Sequence, residues 1–184
     1  MRPIYLKYLF LCVIVQLCPV NSQAENFDQR EYNLKAVFLE RFTRFIDWPK
    51  STAPDSNSAS FVIAVIDNPI FANLLSDIYQ KKTIQGKKVL IQNIDQIEKI
   101  GRPNLLFITQ RSTKELSVIL EQVRREPILT ISDTKGFSQQ GVMINFFMSK
   151  KQKIRFEINE REVKASGLQI SYKLLSVAKI VETE

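Results

Sequence analysis

Three short unbroken apolar runs constrain this chain more than any other feature: Phe61–Ile66 (FVIAVI), Asn104–Thr109 (NLLFIT) and Pro127–Ser132 (PILTIS). Each has strand length and is rich in branched side chains. Each is also apolar at odd and even positions alike, the mark of a strand covered on both faces. The intervals carry helical spacing. After Asp67-Asn68-Pro69, where Pro69 suits a first helical position, come Phe71, Leu74, Leu75 and Ile78. Gly86 then separates that helix from a strand at Val89–Asn93, and a short helical piece follows from Asp95 to Ile100. Ser112 is placed to cap a helix over Thr113–Arg124, with Leu116, Ile119, Leu120 and Val123 inward. Strands alternating with helices predict a mostly parallel sheet with helices on both faces, an α/β sandwich of the Rossmann-like or flavodoxin-like kind. Val142–Met148 and Ile154–Ile158 break the rhythm, because Ser149–Lys153 between them is too short for a helical crossover. They predict an antiparallel hairpin at one side of the sheet. A last helical region over Glu160–Val181, broken near Ser166-Gly167, is expected to bury Leu168, Leu174, Leu175 and Val177.

Ahead of the first strand stands Tyr32–Pro49, YNLKAVFLERFTRFIDWP, which reads as one helix stopped by Pro49. Leu34, Phe38, Phe42 and Phe45 share a face, and Val37, Leu39, Ile46 and Trp48 widen it. Such a helix is either core or partly offered to a partner. Trp48 with Phe45 at its end is an anchor of the kind that interfaces use. Lys35, Arg41 and Arg44 are balanced in part by Glu40 and Asp47, which argues against a membrane-surface helix. Ser51–Ser60 (STAPDSNSAS) then reads as an exposed loop.

The first 24 residues have a secretory pattern: Arg2 and Lys7, an apolar run from Tyr8 to Leu17, Pro19, and Ser22-Gln23-Ala24 at the cleavage position. Cleavage after Ala24 leaves 184 − 24 = 160 residues, one domain over residues 25–184. The expected address is a periplasm, with no membrane insertion once the leader is gone. Both cysteines, Cys12 and Cys18, depart with the leader, so the mature chain is expected to hold neither thiol nor disulfide. The chain has no histidine, which excludes Ser-His-Asp and Cys-His catalysis and His-ligated metal in one step. No carboxylate cluster has calcium-loop spacing, so neither metal nor cofactor is expected. The mature charge, +7 − 2 = +5, is modest, and the lysine pairs flank strand-like runs as solvated loop ends. No nucleic-acid-binding motif is present, and no nucleic-acid partner is expected.

In open α/β sheets, ligands sit outside the carboxyl ends of the parallel strands. Asp67, Ser132 and Asp133 occupy such loops and are the candidate ligand-binding residues. The five glycines are scattered, so no dinucleotide fingerprint or phosphate loop exists. In Ile154–Asn159 (IRFEIN), alternation puts Arg155, Glu157 and Asn159 on one face, opposite Ile154, Phe156 and Ile158. These three polar residues are either ordinary solvated groups or organisers of a contact surface.

Taken together and in order, YNLKAVFLERFTRFIDWP, FVIAVIDNPIFANLL, LLFIT, ILTISDTKGFSQQGVMINFF, IRFEIN and GLQISYKLLSVAKIV resemble the YfiR-like family of small exported bacterial domains, from about Tyr32 to Val181. The resemblance implies an α/β domain without catalytic activity that works by binding. The family's best-studied type is a periplasmic repressor. It holds a membrane diguanylate cyclase of the YfiN type inactive through that enzyme's periplasmic sensor domain, which lowers cyclic di-GMP and disfavours biofilm. It also implies a homodimer, and redox control through disulfides in the type member. This chain departs there, since a mature chain without cysteine cannot switch through its own thiols. On this reading Phe42, Phe45, Trp48, Arg155, Glu157 and Asn159 are the candidate partner-binding residues; a small-molecule sensor domain without a cyclase partner is the alternative.

Overall fold

The computed structural model describes residues 22–49 and 60–181, with side chains from residue 30 onward in the first helix. The leader expected over residues 1–24 lies outside the described residues except Ser22-Gln23-Ala24, which open helix α1 (Ser22–Thr43). The loop expected over residues 51–60 also lies outside them, except Ser60. Among the described residues no helix is long and apolar enough to cross a membrane.

The apolar runs form the strands their composition predicts. In chain order come β1 (Ile46–Asp47), β2 (Ser60–Ile66), α2 (Pro69–Tyr79), β3 (Thr83–Ile84), β4 (Lys87–Ile94) and β5 (Leu105–Ile108). They are followed by α3 (Leu116–Gln122), β6 (Leu129–Ser132), β7 (Ile144–Met148), β8 (Ile154–Ile158) and α4 (Glu160–Ala165). The chain closes with β9 (Gln169–Ile170), α5 (Tyr172–Leu175) and β10 (Lys179–Ile180). One eight-stranded sheet has the order β10-β8-β7-β6-β5-β2-β4-β3. Within it β4, β2, β5, β6 and β7 run parallel, and β8 returns antiparallel to β7 as the expected hairpin. The architecture is the mixed α/β sandwich read from the sequence.

Alternation along the central strands feeds two cores. Phe61, Ile63 and Val65 of β2, with Leu105, Phe107, Leu129 and Ile131, pack beneath α1 and α2. Ala64 and Ile66, with Leu106 and Ile108, pack against Leu116, Ile119 and Val123 on the other face. The chain leaves β2 for β4 on one side and then crosses back to β5 on the other. The carboxyl ends of β2 and β5 therefore flank a topological switch point, where open α/β sheets bind ligands.

Four local expectations are corrected. The opening helix ends at Thr43, well before Pro49; its last turn tightens, with Phe45 N–H donating to Phe42 O at 2.9 Å. Ile46-Asp47 then pairs antiparallel with Ile170-Gln169, so a strand contact distant in sequence takes over from helical periodicity. The buried helix face consists of Lys35, Ala36, Leu39, Phe42 and Thr43, whereas Leu34 is 44% exposed and Val37 is exposed too. The helix before α3 begins as a 3₁₀ turn over Gln110–Glu115, and Ser112 does not cap it. Thr109 holds the cap position, but its hydroxyl donates to Ile66 O at 3.1 Å and ties β5 to β2 instead.

At the C-terminus, Gly167, with φ at +80°, stops α4, and Ser171 accepts from Lys173 N–H to start α5 afresh. The region is thus two short helices between two-residue strands. Leu168 and Leu174 are buried as expected, Leu175 is half-buried, and Val177 is 60% exposed. A hairpin between β3 and β4 was not foreseen. Gln85 and Gly86 both have positive φ, the two-residue turn whose twist suits antiparallel strands.

Candidate functional site

The N-terminal half of α1 passes over the carboxyl ends of β2, β5 and β6, leaving a cleft of about 750 Å³ at the switch point. Its walls include Tyr32, Lys35, Asp67, Thr109, Arg111 and Asp133. Lys35 is the organising residue, at 4% exposed. Its ammonium lies 2.6 Å from Glu31 Oε1, one turn back on α1, and donates to Asp133 Oδ2 at 2.6 Å. It also stands 4.7 Å from the Tyr32 ring centroid. Burial works to lower the Lys35 pKa, but the charge and hydrogen bond of Asp133, joined by Glu31, outweigh it and hold the group above its ordinary value. Lys35 is therefore a permanent cation fastening α1 to the end of β6.

The rest of the cleft is built by short-range bonds. Tyr32 packs on Phe71 with ring centroids 4.9 Å apart, and its hydroxyl accepts from Asn68 Nδ2 at 3.1 Å. Asn68 Oδ1 in turn accepts from Phe71 N–H at 2.9 Å and caps α2. Asp67 sits between strand and cap with φ at 57°, a left-handed conformation that aspartate tolerates better than most residues, and its side chain is exposed. Of the three residues expected to bind a ligand, Asp67 and Asp133 line the cleft, while Ser132 is wholly buried and shapes the turn by accepting from Thr134 N–H at 3.1 Å. Arg111 makes no ion pair among the described residues. The cleft thus offers a free guanidinium and an exposed carboxylate beside a buried cation held between two carboxylates.

On the β8 side of α1, four phenylalanines form one cluster. Phe42 lies 5.6 Å from Phe146 and 4.9 Å from Phe156, and Phe38 lies 5.8 Å and 6.0 Å from the same two rings. Phe146 and Phe156 are directly opposite each other on β7 and β8, and the next pair outward on that face is Met148 with Ile154. Phe42 is fully buried, but Phe38 and Ile154 are half-covered and Leu34 and Met148 are exposed, so the cluster is open at its outer end. Trp48 is buried and meets Phe61 edge-on at 5.6 Å, while Phe45 is half-buried. Beyond this cluster the hairpin turn carries Lys150, Lys151 and Lys153, all exposed.

The polar face of β8 divides. Arg155 is exposed, Glu157 and Asn159 are buried. Glu157 Oε2 accepts from Lys179 Nζ at 3.1 Å rather than from Arg155. Asn159 caps α4 through Glu162 N–H and donates to Ser138 O at 2.8 Å.

Residues 32–179 match the YfiR/HmsC-like family. The chain belongs to the YfiR/HmsC-like family. No curated protein matches it. Membership points to a periplasmic regulator associated with diguanylate cyclase signalling, regulatory rather than catalytic. The family match runs from Tyr32 through Lys179 and so takes in the cleft, the aromatic cluster and the polar face of β8. In this YfiR/HmsC-like domain Phe42, Trp48, Glu157 and Asn159 are buried, Phe45 is half-buried and Arg155 is exposed. Sequence reasoning did not single out Tyr32 and Lys35. The spacing of Glu31 and Lys35 by four was a usable signal, but the deciding partner, Asp133, is 98 residues away.

Proposed function

We propose that this chain is a non-enzymatic periplasmic protein that binds and restrains the periplasmic sensor domain of a membrane diguanylate cyclase, lowering cyclic di-GMP signalling and biofilm formation. The observation that carries this reading is the family match over residues 32–179. The absence of histidine and the scattered glycines support a binding role over a catalytic one. The open end of the aromatic cluster, at Leu34, Phe38, Met148 and Ile154, supplies the apolar anchor that a partner surface needs, and the exposed Arg155 lies on the same hairpin. Phe42 packs beneath that surface, Phe45, Trp48, Glu157 and Asn159 complete the proposed partner-binding set, and the chain acts as a homodimer. Deletion of the gene is expected to raise cyclic di-GMP and surface attachment, and a tagged chain is expected to recover a cyclase from membranes. Unchanged cyclic di-GMP together with a pull-down empty of any cyclase overturns the proposal.

A second reading rests on the switch-point cleft with its free Arg111 and exposed Asp67. Here the domain senses a small molecule without a cyclase partner, using Asp67 and Asp133 with Ser132 shaping the loop. Stabilisation in a thermal-shift screen that Asp67→Ala and Arg111→Ala abolish supports it, and a flat screen removes it.

A further inference from the structure

The large sheet ends differently at its two sides. At one side the last strand, β10, is only Lys179-Ile180. At the other, β4 runs from Lys87 to Ile94, but β3 covers only Lys87 and Lys88. No other described strand pairs with β4 on that side. Asp67, at the end of β2, donates its N–H to Ile94 O at 2.9 Å, so the backbone groups of Ile94 point toward β2. Successive residues of a strand turn these groups to opposite edges, and Ile91 and Asn93 therefore present theirs outward. No described backbone group outside the ladders bonds to them. Folded sheets blunt such an edge with a proline, a bulge, a very short strand or a cover, because a bare edge is a template for another chain. β4 has none of these beyond Lys88: it holds unbroken register with β2 as far as Ile94 and contains no proline. Leu90 on this strand is 47% exposed.

The open length, Leu90–Ile94, fits the same residues of a second copy. Laid antiparallel about a two-fold axis at Gln92, they fill the edge and stop where β3 begins, because the chain bends away at Asp95. In that register Ile91 of each copy exchanges both backbone bonds with Asn93 of the other, and the exposed Leu90 faces Ile94. Charge favours the same arrangement. Lys81, Lys82, Lys87 and Lys88 gather at the β3 end of the edge, and Asp95 and Glu98 stand at the other, where Lys99 pairs with Asp95 at 3.1 Å. Antiparallel pairing lays the basic end of each copy beside the acidic end of the other.

We propose that β4 is the homodimer interface, pairing with β4 of a second copy about an axis at Gln92 so that two sheets become one. This rests on the homodimer of the proposed function and says which surface makes it. The aromatic cluster on β7 and β8 lies toward the opposite side of the sheet and stays open in both copies. Cysteine placement tests the axis, with Cys12→Ser and Cys18→Ser leaving the full chain without a native thiol. A residue on the axis meets its own copy at about 4.5 Å between Cα atoms, within disulfide reach, so Gln92→Cys on that background is expected to give a covalent dimer on mild oxidation. Lys88→Cys, roughly 26 Å from its own copy, is expected not to. Leu90→Lys sets a charge against Ile94 in both halves of the interface and is expected to raise the dimer dissociation constant about tenfold in sedimentation, with an unchanged circular dichroism spectrum. Should Leu90→Lys fail to fold, Gln92→Cys, at an exposed position, decides alone. No crosslink at Gln92→Cys, an equal one at Lys88→Cys, or an unchanged dissociation constant in folded Leu90→Lys overturns the assignment of β4. If the unaltered chain still sediments as a dimer, only the interface falls; a chain that is monomeric at every concentration overturns the homodimer as well.

Discussion

Replacing Phe42 by alanine tests the reading of α1 most directly. Its ring is 1% exposed and lies within 6 Å, centroid to centroid, of Phe38, Phe146 and Phe156. Removing a buried phenylalanine side chain costs about 3–5 kcal/mol, the sum of lost transfer free energy and the cavity left behind. Phe146 and Phe156 are anchored on paired strands and cannot collapse into the gap. Phe38, half-exposed on the same helix, can tilt inward and refill part of it, which favours a cost of about 3–4 kcal/mol. For a domain of this size that is a fall in Tm of roughly 6–16 °C, from a total stability of about 5–15 kcal/mol. Leu34→Ala is the matched control: it lies on the same face in the sequence reading, yet it is 44% exposed, and a change within about 0.5 kcal/mol is expected. Urea denaturation followed by circular dichroism measures both. A loss under about 1 kcal/mol for Phe42→Ala, or equal losses for the two variants, refutes the assignment of the helix face.

Asn159→Ala removes both the α4 cap and the donor to Ser138 O, at a buried position, and is expected to cost about 2–3 kcal/mol in urea denaturation; a neutral result contradicts the buried network. Alkali should destabilise the domain. Lys35 titrates above its ordinary 10.5 because Asp133 and Glu31 overcome the opposing effect of burial, and burial, then the Glu40 charge, raises Tyr79 well above 10.0. The folded state holds both protons more tightly than the unfolded chain, so their contribution is intact below about pH 10 and lost as pH rises through the folded values. Urea midpoints that stay flat from about pH 8 to about pH 11 would count against this, and Tyr79→Phe should make the decline shallower.

What was legible in the sequence was legible for a physical reason. Phe61–Ile66, Leu105–Ile108 and Leu129–Ser132 are covered on both faces, so nearly every position had to be apolar or small, and the strands stood out. Asn68-Pro69 announced α2 because capping and the fixed proline φ are local. The end of α1 was hidden, since Phe45, Ile46 and Trp48 continue an apolar pattern that serves a helix or a strand equally well. Their choice depends on Gln169-Ile170, which no local window contains. The closing strands β9 and β10 have two residues each and therefore no period to detect. That Asp67 and Asp133 border the cleft was legible from their place after strands, but Ser132 was not separable from them, because side-chain direction at a strand end depends on the next turn.

The amino-acid sequence by itself determined the α/β class, the parallel sheet with its closing hairpin, the lack of histidine chemistry and the family resemblance. These follow from residue type and short-range periodicity, which act along the chain. Only the tertiary structure decided that Lys35 is buried between Glu31 and Asp133, that Phe42 is core while Leu34 is surface, and that Glu157 answers to Lys179 rather than Arg155. Each of those depends on elements far apart in sequence meeting in space, where burial and charge pairing override what local pattern suggests.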